Sequence, residues 1–186
     1  MCDTTPVNSL LWGVRDRFRR YIADLADGSA AVSRGATASD DGRFGFPLVG
    51  IDLTGFEPFG ANLANFGSAQ VLRLRFTGAV TFSGHGGLIN AAIVDPWLDT
   101  GGRICALSCT TATDHERITL AVGEADQGVA TANGESLLIS LMLAPDGVPL
   151  FGSIYPPGTD LAPASLRVPI VRWPSTTPDV RESGPA

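Results

Sequence analysis

Lysine is absent: all 13 basic residues of this 186-residue chain are arginines. That excludes a Walker-type phosphate loop and any Schiff-base chemistry, both of which need a lysine. Histidine is nearly absent too, with only His85 and His115, so a metal site of three or more histidines cannot be built. There is no C-x-x-C pair, no H-E-x-x-H, no G-x-S-x-G and no glycine-rich dinucleotide fingerprint. Scattered carboxylates such as Asp52, Asp95, Glu124 and Asp126 lie near turns and do not form a recognisable glycosidase pair. The net charge of −6 lacks the basic excess of a nucleic-acid binder. No apolar run approaches the roughly 20 residues of a membrane-spanning helix. The three cysteines, Cys2, Cys105 and Cys109, are an odd number. Four residues of extended strand between Cys105 and Cys109 cover roughly 13 Å, too far for a disulfide, so free thiols and a reducing compartment are expected.

What is present is the composition of a folded domain. Charged residues make up 17% and hydrophobic residues 44%, and a chain of this length buries about 70% of its unfolded surface without a metal or disulfide staple. We expect one domain over residues 1–174 and a polar, proline-containing tail over 175–186. The stretch Leu10–Leu25 carries the one clear helical stripe. Val14, Phe18, Tyr21, Ile22 and Leu25 share a face while Arg15, Asp16, Arg19 and Arg20 take the other, which predicts a helix mainly over 14–25. Downstream the period falls to two. Strands are predicted at Val71–Phe76, Val80–Phe82, Leu88–Val94, Ile104–Cys109, Ile118–Val122, Leu137–Leu143 and Leu166–Ile170. Turn sequences such as Asp99-Thr100-Gly101-Gly102, Asp146-Gly147 and Pro156-Pro157-Gly158 separate them. The expected fold is mainly β: an antiparallel β-sandwich or partly closed barrel with one or two short α-helices.

Few residues remain with unusual chemistry or setting. The only tyrosines are Tyr21, near the end of the helical stripe and close to four arginines, and Tyr155, in the rigid stretch Phe151-Gly152-Ser153-Ile154-Tyr155-Pro156-Pro157-Gly158. His85 lies in Phe82-Ser83-Gly84-His85-Gly86-Gly87-Leu88, where flanking glycines allow close backbone approach. Each has an ordinary explanation: a tyrosine at the edge of a core, a histidine in a turn, arginines on a solvated helix face. Trp12, Phe18, Phe82 and Trp97 read as core residues, and His115 as a turn residue.

Three segments together resemble one family. Leu10-Leu11-Trp12-Gly13-Val14-Arg15-Asp16-Arg17-Phe18-Arg19-Arg20-Tyr21-Ile22 is similar to the opening signature of HtaA domains, L-x-W-G-V-x-x-S-F-R-x-Y-I. Val80-Thr81-Phe82-Ser83-Gly84-His85-Gly86-Gly87-Leu88 resembles their central V-x-F-x-G-H-x-G, and Phe151–Leu161 their late F-x-x-x-Y-P-x-G-x-x-L. The resemblance implies an all-β domain with short helices that takes up haem for iron acquisition, transport or storage, and is not an enzyme. On that carry-over Tyr21 is the axial ligand of ferric haem b, His85 hydrogen-bonds to it, and Tyr155 and Ile154 lie close to the porphyrin. The family often has an aromatic residue where this chain has Ile154, and a small one where it has Arg17. Another haem-binding protein as donor or acceptor is implied as well. Family members are usually secreted or at the cell surface. The first residues here show neither a basic segment nor a long apolar one, so a cytoplasmic protein, or one trimmed of its leader, is expected.

The chemistry agrees with the carry-over. Free tyrosine ionises at a pKa of about 10, and ferric iron stabilises the phenolate directly. A histidine donating to that oxygen favours the anion further. Two other functions fit the sequence: a non-haem β-sandwich module binding a protein or an apolar ligand, and a haem enzyme of peroxidase or catalase type. The first is favoured if Tyr21 and His85 lie far apart. The second needs a distal acid–base group, for which His85 is the sole candidate.

Overall fold

The computed structural model describes residues 8–54, 71–111, 116–126, 129–131 and 134–168. In chain order the elements are β1 (Ser9–Trp12), α1 (Asp16–Asp24), β2 (Ser29–Ser33), β3 (Thr37–Ala38), β4 (Phe44–Thr54), β5 (Val71–Phe76), β6 (Ala79–Gly84), β7 (Ile89–Gly101), β8 (Ile104–Thr110), β9 (Arg117–Ala125), β10 (Val129–Thr131), β11 (Gly134–Leu143) and β12 (Ala164–Val168). Two 3-10 segments, His85–Gly87 and Pro145–Phe151, complete them.

All twelve strands belong to one antiparallel sheet. Eight of them, in the order β7-β5-β4-β1-β12-β11-β9-β8, return to β7 through the β7–β8 hairpin and so close a barrel. The choice left open by the sequence, sandwich or partly closed barrel, resolves to full closure, which leaves those strands no exposed edge. Side chains in register form the interior. Leu10 sits between Phe46 of β4 and Leu166 of β12, and all three are fully buried. Leu98 of β7 is opposite Leu74 on β5 and Leu107 on β8.

β7 serves two structures. Its second half, from Trp97, lies in the barrel, and its first half, Ile89–Val94, pairs with β6, Val94 also standing opposite Thr110 of β8. β6 pairs in turn with β2, whose residues are all exposed. A bulge between Val94 and Trp97 marks the change. There Asp95 takes a positive φ of 45°, and its carboxylate accepts from the Gly78 N–H at 3.0 Å and from Arg34 at 2.7 Å.

The helix is shorter than the apolar stripe. Leu10–Trp12 are a strand, because both faces of β1 are covered and the burial there has no period to read. Val14, at φ 57°, breaks the chain before the helix. Phe18 is wedged edge-on between Phe82 of β6 and Phe151, with centroid distances of 5.2 and 5.1 Å, which fixes α1 against the core. Cys105 and Cys109 are buried free thiols on β8. Cys2, His115 and the tail from Ser175 lie outside the described residues. No helix among the described residues is long and apolar enough to cross a membrane.

Candidate functional site

The site begins with helix geometry. Phe18 and Ile22 are the buried face of α1. Tyr21, three residues beyond Phe18, falls at the edge of that stripe and remains 42% exposed. Its hydroxyl therefore projects past the core toward the β6–β7 turn. In that turn His85 adopts a left-handed φ of 53°, followed by Gly86 at 64° and Gly87 at 95°. The Tyr21 hydroxyl and His85 Nε2 are 2.6 Å apart, a short hydrogen bond between residues 64 positions apart in sequence.

The glycine before His85 has a packing role. A Cβ on Gly84 would come within 2.7 Å of Leu25 Cδ1, just past the end of α1. Its absence leaves room for the Leu25 side chain against the turn. Behind the pair, the Asp27 carboxylate accepts from the backbone N–H groups of Gly86 at 2.6 Å and His85 at 3.0 Å. Those two donors, Gly86 foremost, hold the Asp27 carboxyl below its ordinary range.

Tyr155 meets α1 at the other end. The guanidinium of Arg15, the residue before the helix, lies 4.4 Å over the Tyr155 ring and hydrogen-bonds the Asp160 carbonyl. Tyr155 also packs edge-on against Phe151, the ring that holds Phe18. Arg15 and Tyr21 are six residues apart, roughly 9 Å along the helix. The structure thus joins Tyr21 to His85 directly, and links Tyr155 to the same helix through Phe151 and Phe18. Ile154 is 66% exposed.

Two further residues at the turn carry no sequence signal of their own. Asp27 follows the helix as one more surface carboxylate. Leu88, assigned from its pattern to a strand, is instead the last residue of the turn and 89% exposed, the most exposed large hydrophobic among the described residues. No group of three or more metal-ligating His, Cys, Asp or Glu side chains occurs among the described residues. The side chains with metal-binding chemistry that meet at the turn are the Tyr21 phenol, the His85 imidazole and the Asp27 carboxylate.

The HtaA family model (Htaa) matches residues 7–167, which include all three motifs. The chain belongs to the HtaA family. Among solved structures it is similar to the C-terminal domain of HtaA from Corynebacterium glutamicum, with 24% identity, 84% of this chain and 92% of that one covered, and a TM-score of 0.65. The N-terminal domain of the same protein gives 23% identity, coverages of 87% and 97%, and a TM-score of 0.65. The haem-binding protein HtaB of that organism gives 19%, 85% and 90%, and 0.54. At these identities the likeness is one of fold. No curated protein matches.

Proposed function

We propose that the chain binds ferric haem b through the Tyr21 oxygen, with His85 as the hydrogen-bond partner of that oxygen, and that it acts as a carrier or store in haem-iron acquisition. The observation that carries this reading is the 2.6 Å contact between the Tyr21 hydroxyl and His85 Nε2. The donor set suits the group. An exposed phenol offers a hard, anionic oxygen, which matches ferric iron better than ferrous. Bound haem supplies the iron whose positive charge stabilises the phenolate.

The chain's own residues manage the proton. With a neutral phenol the O–H donates to Nε2. When the phenol ionises within this contact, its proton has an acceptor 2.6 Å away, and the resulting Nε2–H donates back to the anionic oxygen. The anion therefore forms with its stabilising donor already placed. Exposed Leu88 and Ile154, with the half-buried Tyr155, supply apolar and aromatic surface suited to a porphyrin face.

We read the protein as a carrier and not a catalyst, because His85 is engaged by the same oxygen that would hold the iron. Peroxidase-type chemistry needs an acid–base group on the opposite face. A haem donor or acceptor protein follows from a carrier role, and the family membership and the HtaB likeness support the haem reading. Titration of the purified protein with haemin, followed by absorption spectroscopy, tests it. We expect saturable one-to-one binding with a tyrosinate-type ferric spectrum, abolished or greatly weakened in Tyr21→Ala. Unchanged affinity and spectrum in that variant would remove Tyr21 as the ligand.

A further inference from the structure

Two segments meet at the site, and two separate ties join them. The segment from Tyr21 to Gly28 carries a phenol and, six residues later, a carboxylate. The turn at His85–Gly86 carries an imidazole and two backbone N–H groups. The phenol takes the imidazole, and the carboxylate takes both N–H groups, at 3.0 and 2.6 Å. His85, Gly86 and Gly87 are successive residues at positive φ. In such a run neighbouring N–H groups can converge and form a small concavity for an anion. Here the anion belongs to the chain itself.

A left-handed conformation is unfavourable for a residue with a side chain, and His85 holds it on a turn whose four residues, His85–Leu88, are all exposed. No core packing defines its backbone. We propose that Asp27 is the positioning residue of the site: by capping the His85 and Gly86 N–H groups it fixes the turn that aims His85 Nε2 at the Tyr21 oxygen. Asp27 is itself held at a tight corner, where the Gly28 N–H donates to the Leu25 carbonyl at 3.1 Å. A Cβ on Gly28 would overlap the Ile22 carbonyl oxygen, so that corner has little room to shift. The consequence for haem rests on the reading of Tyr21 as ligand; the effect on His85 does not.

The experiment therefore begins with the haem-free protein. In the 15N-labelled chain the imidazole signals of His85 are identified by their loss in His85→Ala, and amide exchange is followed at Gly86. In Asp27→Ala we expect exchange at Gly86 to quicken at least tenfold, and the His85 signals to move toward those of free histidine. Near-UV circular dichroism should stay native. Asp27→Asn keeps one acceptor oxygen and should lie between the two; it takes over the test if Asp27→Ala does not fold. A folded variant with wild-type His85 signals and Gly86 exchange would overturn the proposal, whichever substitution gives it. With haemin, Asp27→Ala should weaken binding by up to about tenfold. The double variant with His85→Ala should bind no more weakly than His85→Ala alone. A full additional loss in the double variant would mean that Asp27 acts elsewhere, and would also overturn it. If the wild type binds no haemin, the haem reading fails while the ligand-free measurements still decide the role of Asp27.

Discussion

The two halves of β7 share a core but have different partners. From Trp97 onward the strand has partners on both sides, and its inward residues Leu98 and Thr100 are buried in a closed barrel. Its first half pairs with β6, on whose far side lies the exposed edge strand β2; it buries Ala91, Ala92 and Ile93 but leads back to a turn exposed at every residue. Apolar packing in register determines the first region. In the second, Ala91 and Ile93 join Val80 and Phe82 of β6 in the same core, and only the β6–β7 turn rests on hydrogen bonds, glycines and positive φ angles. Core packing, which both halves share, is therefore expected to govern stability, and the exposed contact between α1 and the β6–β7 turn to govern the proposed binding.

The strongest challenge to that separation is at Phe18, where the two regions touch. Phe18 is 3% exposed and in edge contact with both Phe82 and Phe151. Phe18→Ala should cost about 3–5 kcal/mol of unfolding free energy, read by denaturant titration. Tyr21→Ala, three residues away but 42% exposed, should cost under about 1 kcal/mol while removing the proposed ligand. Comparable losses in the two variants would show that the site is part of the core.

Alkaline pH should act on the barrel. Burial pushes the Cys105 thiol up to about 11, helped by the nearby Glu124 carboxylate. Burial likewise pushes Cys109 up to about 12, against opposing influences from Arg117 and a hydrogen bond to the Val94 backbone. Unfolded thiols ionise near about 8.5. Between that value and the folded pKa values the native state binds more protons, so stability falls as pH rises through the window and is fully retained below it. Denaturant midpoints at pH 7 and pH 10.5 should therefore differ more in the wild type than in the Cys105→Ala, Cys109→Ala double variant.

Much of this division was legible in the sequence, and the illegible part has physical causes. Most strands from Val71 onward show in the period-two alternation; β10 does not, and β7 shows only up to Val94, because Asp99-Thr100-Gly101-Gly102 reads as a turn. β1 was absorbed into the helical stripe because all four of its residues are buried. β4 was missed because Gly45, Pro47 and Gly50 interrupt Phe44–Thr54, and β2 because an exposed Ser-Ala-Ala-Val-Ser edge has no pattern to see. Tyr21 and His85 were legible through motif and rarity, in a chain with two residues of each type. Asp27 was not, since its role lies in accepting backbone N–H groups from a turn 58 residues away. Only the folded chain brings that carboxylate and that turn together.

A smaller effect, confined to binding, is expected at the imidazole. His85→Ala removes the partner of the Tyr21 oxygen and leaves the phenol. A charge-assisted hydrogen bond contributes about 1.5–3 kcal/mol, so haemin affinity should fall roughly ten- to hundredfold with a shifted spectrum. Unfolding free energy should change by less than about 0.5 kcal/mol, because His85 is exposed. A stability loss as large as the affinity loss would count against the segregation.

Gly86 gives the finest test, because it separates the shape of the turn from its contacts. Its φ is 64°, and a Cβ built there meets nothing within 4 Å. Gly86→Ala therefore introduces no clash and keeps the N–H that donates to Asp27; it adds only the left-handed penalty, about 1 kcal/mol or slightly more. Part of that is offset by the reduced freedom of the unfolded chain, about 0.4–1 kcal/mol. The net change in unfolding free energy should be under about 1 kcal/mol. If the turn is preorganised for binding, the remaining strain appears as haemin affinity lowered by less than about fivefold, with the wild-type spectrum preserved because Tyr21 and His85 still meet. Gly84→Ala provides the contrast, since its Cβ would meet Leu25 Cδ1 at 2.7 Å, so that the Leu25 side chain or the turn must shift. It should weaken binding more than Gly86→Ala and shift the spectrum toward that of His85→Ala. Equal effects at the two glycines would mean that close approach to the helix does not set the tyrosine–histidine contact, and that the backbone angles of the turn matter more than its distance from α1.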